Sequence, residues 1–291
     1  MLPNSQVVYS FSPSHPPALR VRSGDVVELE TLDCFAGQLQ EEGASLQSLD
    51  PGRQNPATGP VYVEGAEPGA ILKASILEIR LDRAGIVTCG AGDGPLGKSL
   101  QGQHMRRLDV ADGRVCWGGG LTLAAAPMVG VIGVAPGEGA VPCNTPGPHG
   151  GNLDNAMITA GTALYLPVSA PGALFALGDV HAAMGDGEVG GCGLETGAVV
   201  KVRLEALAGG WLRQPLLAGG SVLSTMASAP TLDEAAELAA QEMLDLLLRT
   251  GRTAPEAAML MSLAGHAGIC QMVNPLKTAR FTLPRACFPP A

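Results

Sequence analysis

The chain has 291 residues, is 46% hydrophobic and only 15% charged, and carries a formal net charge of −9. That length and apolar content suffice for a sizeable core and exclude an intrinsically disordered chain. An acidic chain without a Lys/Arg cluster is poorly suited to phosphate backbones or anionic membranes, so neither nucleic acid nor membrane is expected as a partner.

Aromatic residues are 3% of the chain, with Gly 40 and Pro 23. The core must come from Val, Leu, Ile, Ala and Met, and many turns between short strands are expected. Seven cysteines without a CxxC pair fit reduced, mostly buried thiols better than a disulfide framework. The N-terminus shows no signal-like pattern, and the longest apolar run, 120–136, is broken by Gly and Pro. That run is read as buried strand or loop, and the expected location is the cytoplasm.

In chain order, 18–32 predicts two strands about a turn at Ser23-Gly24-Asp25, because Val27, Leu29 and Thr31 alternate with Val26, Glu28 and Glu30. Residues 61–79 predict a second hairpin about Glu67-Pro68-Gly69, and 164–177 a third about Pro171-Gly172. Tyr62 and Tyr165 precede a Pro-Gly-Ala at the same spacing, which points to an internal duplication of the hairpin unit. Residues 198–206 alternate as a half-exposed strand.

Beyond residue 230 the period changes to that of a helix. Thr231 and Glu234 form a capping box, Leu232, Ala235, Leu238, Ala239, Met243, Leu246 and Leu247 an apolar stripe, and Gly251 a stop. Thr253 and Glu256 cap a second, shorter helix ending at Gly265, and a last strand is predicted at Thr278–Leu283. The fold class is therefore mainly β (α+β): a sandwich- or barrel-like core of hairpins plus two C-terminal helices. No linker divides the chain, which is taken as one unit over 1–291, β-rich to 229, helical over 230–266 and closed by a strand within 267–291.

Two stretches concentrate chemistry. One is PGPHGGNLDN (146–155), the other LGDVHAAMGDGEVGG (177–191). Residues two apart on a strand share a face, so Asp179 and His181 can aim at one point. The following glycines allow a turn that returns Asp186 or Glu188 to it. Histidine with carboxylates suits a catalytic divalent metal, zinc first, with His149 as a further ligand. The plainer alternative is a surface turn beside a hydrogen-bonded core histidine. His15, His104 and His266 are assigned to structure. A G-x-S-x-G elbow and a phosphate loop are both missing.

These segments, with SGDVVELETLDCFAGQL (23–39), NPATGPVYVEGAEPG (55–69), GVIGVAP (130–136) and ICQMVNPLKTARFTLP (269–284), resemble the acetamidase/formamidase family over nearly the whole chain. The resemblance implies hydrolysis of small aliphatic amides to acid and ammonia, a mostly β fold with added helices, and a homo-oligomer, dimer or higher. The expected metal ligands are then Asp179, His181, His149 and Asp33. Glu188 is the expected proton carrier, with Asp186 as its alternate, and His149 is also counted among the catalytic groups. Asn152 and Asn55 are expected to hold the substrate. His266 and Asn274 stand where relatives tend to carry aspartates, and both departures are assigned to structure. The segment Cys89–Trp117 also departs from the pattern in detail. Two other readings stay open: a covalent route through Cys34 or Cys143, and a non-catalytic β protein whose Gly-Asp-Gly-Glu loop binds calcium.

Overall fold

The computed structural model describes residues 1–40 and 43–289, so residues 290 and 291 at the end of the expected C-terminal segment lie outside it. Among the described residues, eleven strands form one sheet and eight a second, and the two pack face to face. Val61, Val63, Val129, Ile132, Phe175, Leu177 and Val180 of the first sheet meet Leu29, Leu72, Ile76, Leu164, Val200, Val202 and Leu204 of the second. This is the aliphatic core that the scarcity of aromatics demands. Val200, Val202 and Leu204 face it, as the alternation over 198–206 predicts.

The three expected hairpins take a different form. The strands Ala57–Val63 and Ile71–Leu81 lie in opposite sheets, as do Thr162–Pro167 and Phe175–His181, and Leu19–Val21 and Val26–Thr31. Each turn is an arch that carries the chain across the sandwich. Each of these strands turns apolar side chains to the shared core, and a few linking residues suffice to span the roughly 10 Å between packed sheets. Alternation reveals that face but does not say whether the next strand lies beside it or opposite. The two arches that share the Pro-Gly-Ala signal pair with each other in both sheets, Leu177 opposite Thr58 and Leu164 opposite Ala74. Gly172, at φ +73°, lets them approach; a Cβ there would strike the Tyr62 ring.

The apolar run 120–136 divides into an exposed strand, Leu121–Ala124, and a fully buried one, Met128–Gly133. Helix α1 spans Leu232–Leu248 and α2 Ala254–Ala264. Both caps form: Glu234 N donates to Thr231 Oγ1, and Glu256 accepts from the Thr253 backbone at 2.9 Å. Helix α1 lays Ala235, Ala239, Met243 and Leu247 on the second sheet, close enough for Thr225 Oγ1 to donate to Ala239 O at 2.6 Å. Leu238, on the predicted stripe, is instead exposed. A strand at His266–Gln271, not foreseen, precedes the expected last strand, which runs Lys277–Pro284. Among the described residues no helix is long and apolar enough to cross a membrane.

Candidate active site

The strand Phe175–His181 lies between Ala57–Val63 and Met128–Gly133, and all seven of its residues are buried. Near its end the backbone departs from regular β geometry. Asp179 has φ +53°, a conformation aspartate tolerates better than most residues. The departure brings Asp179 and His181 to a common point: His181 Nε2 lies 3.5 Å from Asp179 Oδ1. Gly130, across the ladder, makes room; a Cβ there would sit 2.5 Å from Asp154 Oδ1 and 2.7 Å from Asp179 Oδ2.

Three further acids join this pair. Glu195, opposite His181 in the sheet, brings Oε1 to 3.0 Å from His181 Nε2 while accepting from Gly193 N. Asp154 Oδ1 lies 4.0 Å from the same nitrogen, and its Oδ2 accepts from Asn274 Nδ2 at 2.7 Å. Glu188 sits at φ +48° in the glycine turn and is buried. That turn is held against the His266–Gln271 strand by Gly187 N to Cys270 O and Met272 N to Gly187 O. The donor atoms of Asp154, His181 and Glu188 lie within 4.8 Å of one another, as do those of Cys34, Asp179 and Glu195.

Four buried carboxyls thus surround one imidazole. Burial, reinforced by Asp179, pushes Asp154 up to about 7, and burial pushes Glu195 up to about 8. Burial and the neighbouring Asp154 raise Glu188 well above the usual range. Burial opposes the charge on Asp179, yet attraction to His181 holds its carboxyl below the usual value. Burial likewise opposes a charge on His181, but Glu195 and Asp179 raise it well above the ordinary value. None of the His181 contacts points as a hydrogen bond, and both ring nitrogens, Asp154 Oδ1 and Glu195 Oε2 lack partners. Buried polar atoms left in this way are costly and call for an explanation. A divalent cation fits them in charge and in donor chemistry.

A polar cavity of about 230 Å3 opens on this cluster. Asn55, Asn144, Asn152 and Asn274 line it together with Asp179, Glu188, Glu195, Cys34 and Cys192. Asn55 Nδ2 approaches Asp179 Oδ2 at 3.5 Å, and Asn152 Oδ1 is buried without a partner.

Of the residues expected at the site, the structure gathers Asp179, His181, Glu188, Asn152 and Asn55 and sets three apart. Asp33 spends its carboxylate on a turn, accepting from Gly37 N at 2.9 Å and Gln40 Nε2 at 2.5 Å. Asp186 projects outward, half exposed, onto Arg280. His149 stays within its own glycine loop, edge-on to Phe11, where burial lowers its imidazole to about 4. Cys143 packs near Phe11 away from the cavity, and burial raises its thiol to about 12.

Sequence reasoning passed over Asp154 and Glu195. Asp154 stood inside PGPHGGNLDN, and Glu195 four residues beyond the second motif; only strand pairing for Glu195 and the packing of the 153–155 loop for Asp154 bring them to His181. Asn274 is also not a distant structural position, because the loop after the His266–Gln271 strand lays it over Asp154 and Asn152. His266 is exposed at the start of that strand, opposite Thr282.

The geometry has counterparts among known proteins. Residues 4–140 and 135–289 match the profile of the Acetamidase/Formamidase family. The crystal structure of a recombinant predicted acetamidase/formamidase from Thermoanaerobacter tengcongensis is 44% identical, with a TM-score of 0.96 over 98% of this chain and 95% of that one. An acetamidase structure from Bacillus halodurans is 44% identical, with a TM-score of 0.95 over 97% and 96% of the two chains. The acetamidase of Mycolicibacterium smegmatis is 24% identical over 69% of this chain. The chain spans 64%, 66% and 61% of the lengths of the curated relatives it matches. A family profile that spans residues 4–289, and agreement in fold with both crystal structures, show that the chain belongs to the acetamidase/formamidase family.

Proposed function

We propose that this chain hydrolyses small carboxamides of the formamide and acetamide type to the carboxylic acid and ammonia. The observation that carries the reading is a buried set of carboxylates and one imidazole, several of their atoms unpartnered, facing a cavity lined by side-chain amides. Asp154, Asp179 and His181 are the donors that would hold a divalent cation, zinc first. Such an ion supplies Lewis acidity at a carbonyl and lowers the pKa of water towards roughly 7.

The chain's own residues account for positioning and proton movement. Asn55, Asn152 and Asn274 present amide groups able to donate to the substrate oxygen or accept from its nitrogen. Asn274 also fixes Asp154 through its 2.7 Å hydrogen bond. Glu188 lines the cavity, and its raised pKa suits a group that takes a proton from water and hands it to the amide nitrogen. The water oxygen first bonds to the carbonyl carbon while Glu188 takes its proton; that proton then passes to the nitrogen, and the C–N bond breaks to release ammonia as the carbonyl re-forms. Cys34 lines the same cavity, but burial, with Glu195 and Asp179 beside it, holds its thiol well above the usual value. A group kept protonated is a poor nucleophile, which favours attack by water over a covalent route.

The test is metal analysis of the purified chain, with ammonia release from formamide and acetamide measured before and after chelation. Activity that disappears on chelation and returns with zinc, and that survives Cys34→Ala, supports the reading. Turnover that persists in the metal-free protein and vanishes in Cys34→Ala transfers the chemistry to the thiol. Bound calcium without turnover of any amide leaves a binding protein.

A further inference from the structure

We propose that the preferred substrates are carboxamides bearing an apolar acyl group of several carbons, received by a second cavity beside the polar one. The inference rests on the chain being a carboxamide hydrolase. This second cavity, of about 250 Å3, has Glu188 and Cys192 in common with the polar cavity, so the residue assigned to proton transfer borders both.

The two sides differ in chemistry. The polar side is rich in amides and carboxylates and offers an acyl chain little apolar surface. Across Glu188, Leu108, Val115 and Leu194 form a buried apolar floor, and Trp117 and Leu123 form walls. Besides Glu188, the one charged lining residue is Asp186, whose carboxylate is already paired with Arg280. The Arg106 guanidinium stacks 4.2 Å from the Trp117 ring centroid and donates to the Trp117 carbonyl at 2.6 Å.

The walls come from the strands Gln103–Ala111, Arg114–Gly118 and Leu121–Ala124 at the edge of the larger sheet. Their rim leaves Trp117 38%, Leu123 43% and Val189 46% exposed. Apolar surface around a concavity that ends at a buried acid is the arrangement of a ligand pocket rather than of ordinary exposed hydrophobics. A carboxamide head among the asparagines places its carbonyl carbon near Glu188 and directs its acyl chain over Cys192 into the apolar side. Each buried methylene then contributes about fourfold to kcat/KM.

The experiment uses the full chain with Trp211→Phe, so that Trp117 is the sole tryptophan reporter. The ratio of kcat/KM for hexanamide to that for acetamide is measured, along with Trp117 emission during titration with hexanoate and with acetate. The expected ratio is at least tenfold in favour of hexanamide, with a saturable emission shift for hexanoate only. Trp117→Ala and Leu123→Glu, both at the exposed rim, should each lower the ratio at least tenfold. A ratio of one or less, or a high ratio untouched by both variants, overturns the inference. Absence of ammonia from every amide, with zinc supplied, overturns the hydrolase reading and this inference with it. A hexanoate shift in that case would show a binding cavity without hydrolysis.

Discussion

Gly130→Ala isolates the packing on which the candidate site depends. Gly130 has no positive φ, so alanine suits its backbone, and the change by itself would stabilise by about 0.4–1 kcal/mol through the unfolded chain. The space is the obstacle. The new Cβ would lie 2.5 Å from Asp154 Oδ1, 2.7 Å from Asp179 Oδ2 and 2.8 Å from Asp179 O, against an ordinary contact of at least 3.4 Å. One of these atoms is backbone in a fully buried strand, and Asp154 is tied to Asn274. Relief therefore needs shifts approaching 1 Å in groups with nowhere to go. Overpacking of this kind costs about 1–3 kcal/mol and exceeds the entropic gain. Urea denaturation should show a lower midpoint at unchanged m, metal content should fall, and ammonia release should drop at least tenfold. Gly185→Ala, in the same motif with nothing within 4 Å of its Cβ, is the control and should be neutral or slightly stabilising. Wild-type stability and turnover in Gly130→Ala would refute the claim that close approach of Asp154 and Asp179 makes the site.

Three further outcomes are expected. Glu188→Gln should lower kcat by at least about 10²-fold while metal content stays near wild type, as seen by elemental analysis and ammonia assay. Asp186→Asn should keep more than a tenth of turnover and change stability by less than about 1 kcal/mol, since Asp186 is half exposed and its asparagine can still accept from Arg280; a Glu188-like collapse would restore Asp186 to the mechanism. His149 has its folded pKa lowered by burial from 6.5 to about 4. The unfolded imidazole therefore takes up a proton before the folded one does, and its contribution is complete above pH 6.5 and lost as pH falls towards 4. The loss approaches about 3 kcal/mol, and the difference in unfolding free energy between wild type and His149→Gln across that window measures it.

Local chemistry was legible without coordinates wherever it depends on neighbours in sequence. Thr231 and Thr253 with their glutamates mark both helix starts, because a capping box closes within four residues. The alternation of Val200, Val202 and Leu204 marks a core face, because strand side chains repeat every two residues. The Asp179–His181 spacing marked the pair as candidates, although the left-handed backbone at Asp179 departs from that regular alternation, and the glycines around Glu188 announced a turn able to bring it back. Which strands face one another was not legible. The links at 64–70 and 168–174 read alike for a hairpin and an arch, and only burial of both apolar faces across a shared core selects the arch. That choice sets the composition of the site. Other long-range contacts complete it: strand pairing sets Glu195 opposite His181, the loop after His266–Gln271 lays Asn274 on Asp154, and Asp33, Asp186 and His149 go to a turn, a surface ion pair and a glycine loop. A sequence determines which residues can carry charge and how each strand alternates. Only the tertiary packing decided which carboxylates share one buried cluster, because that depends on contacts between residues as far apart as Asp154 and Asn274.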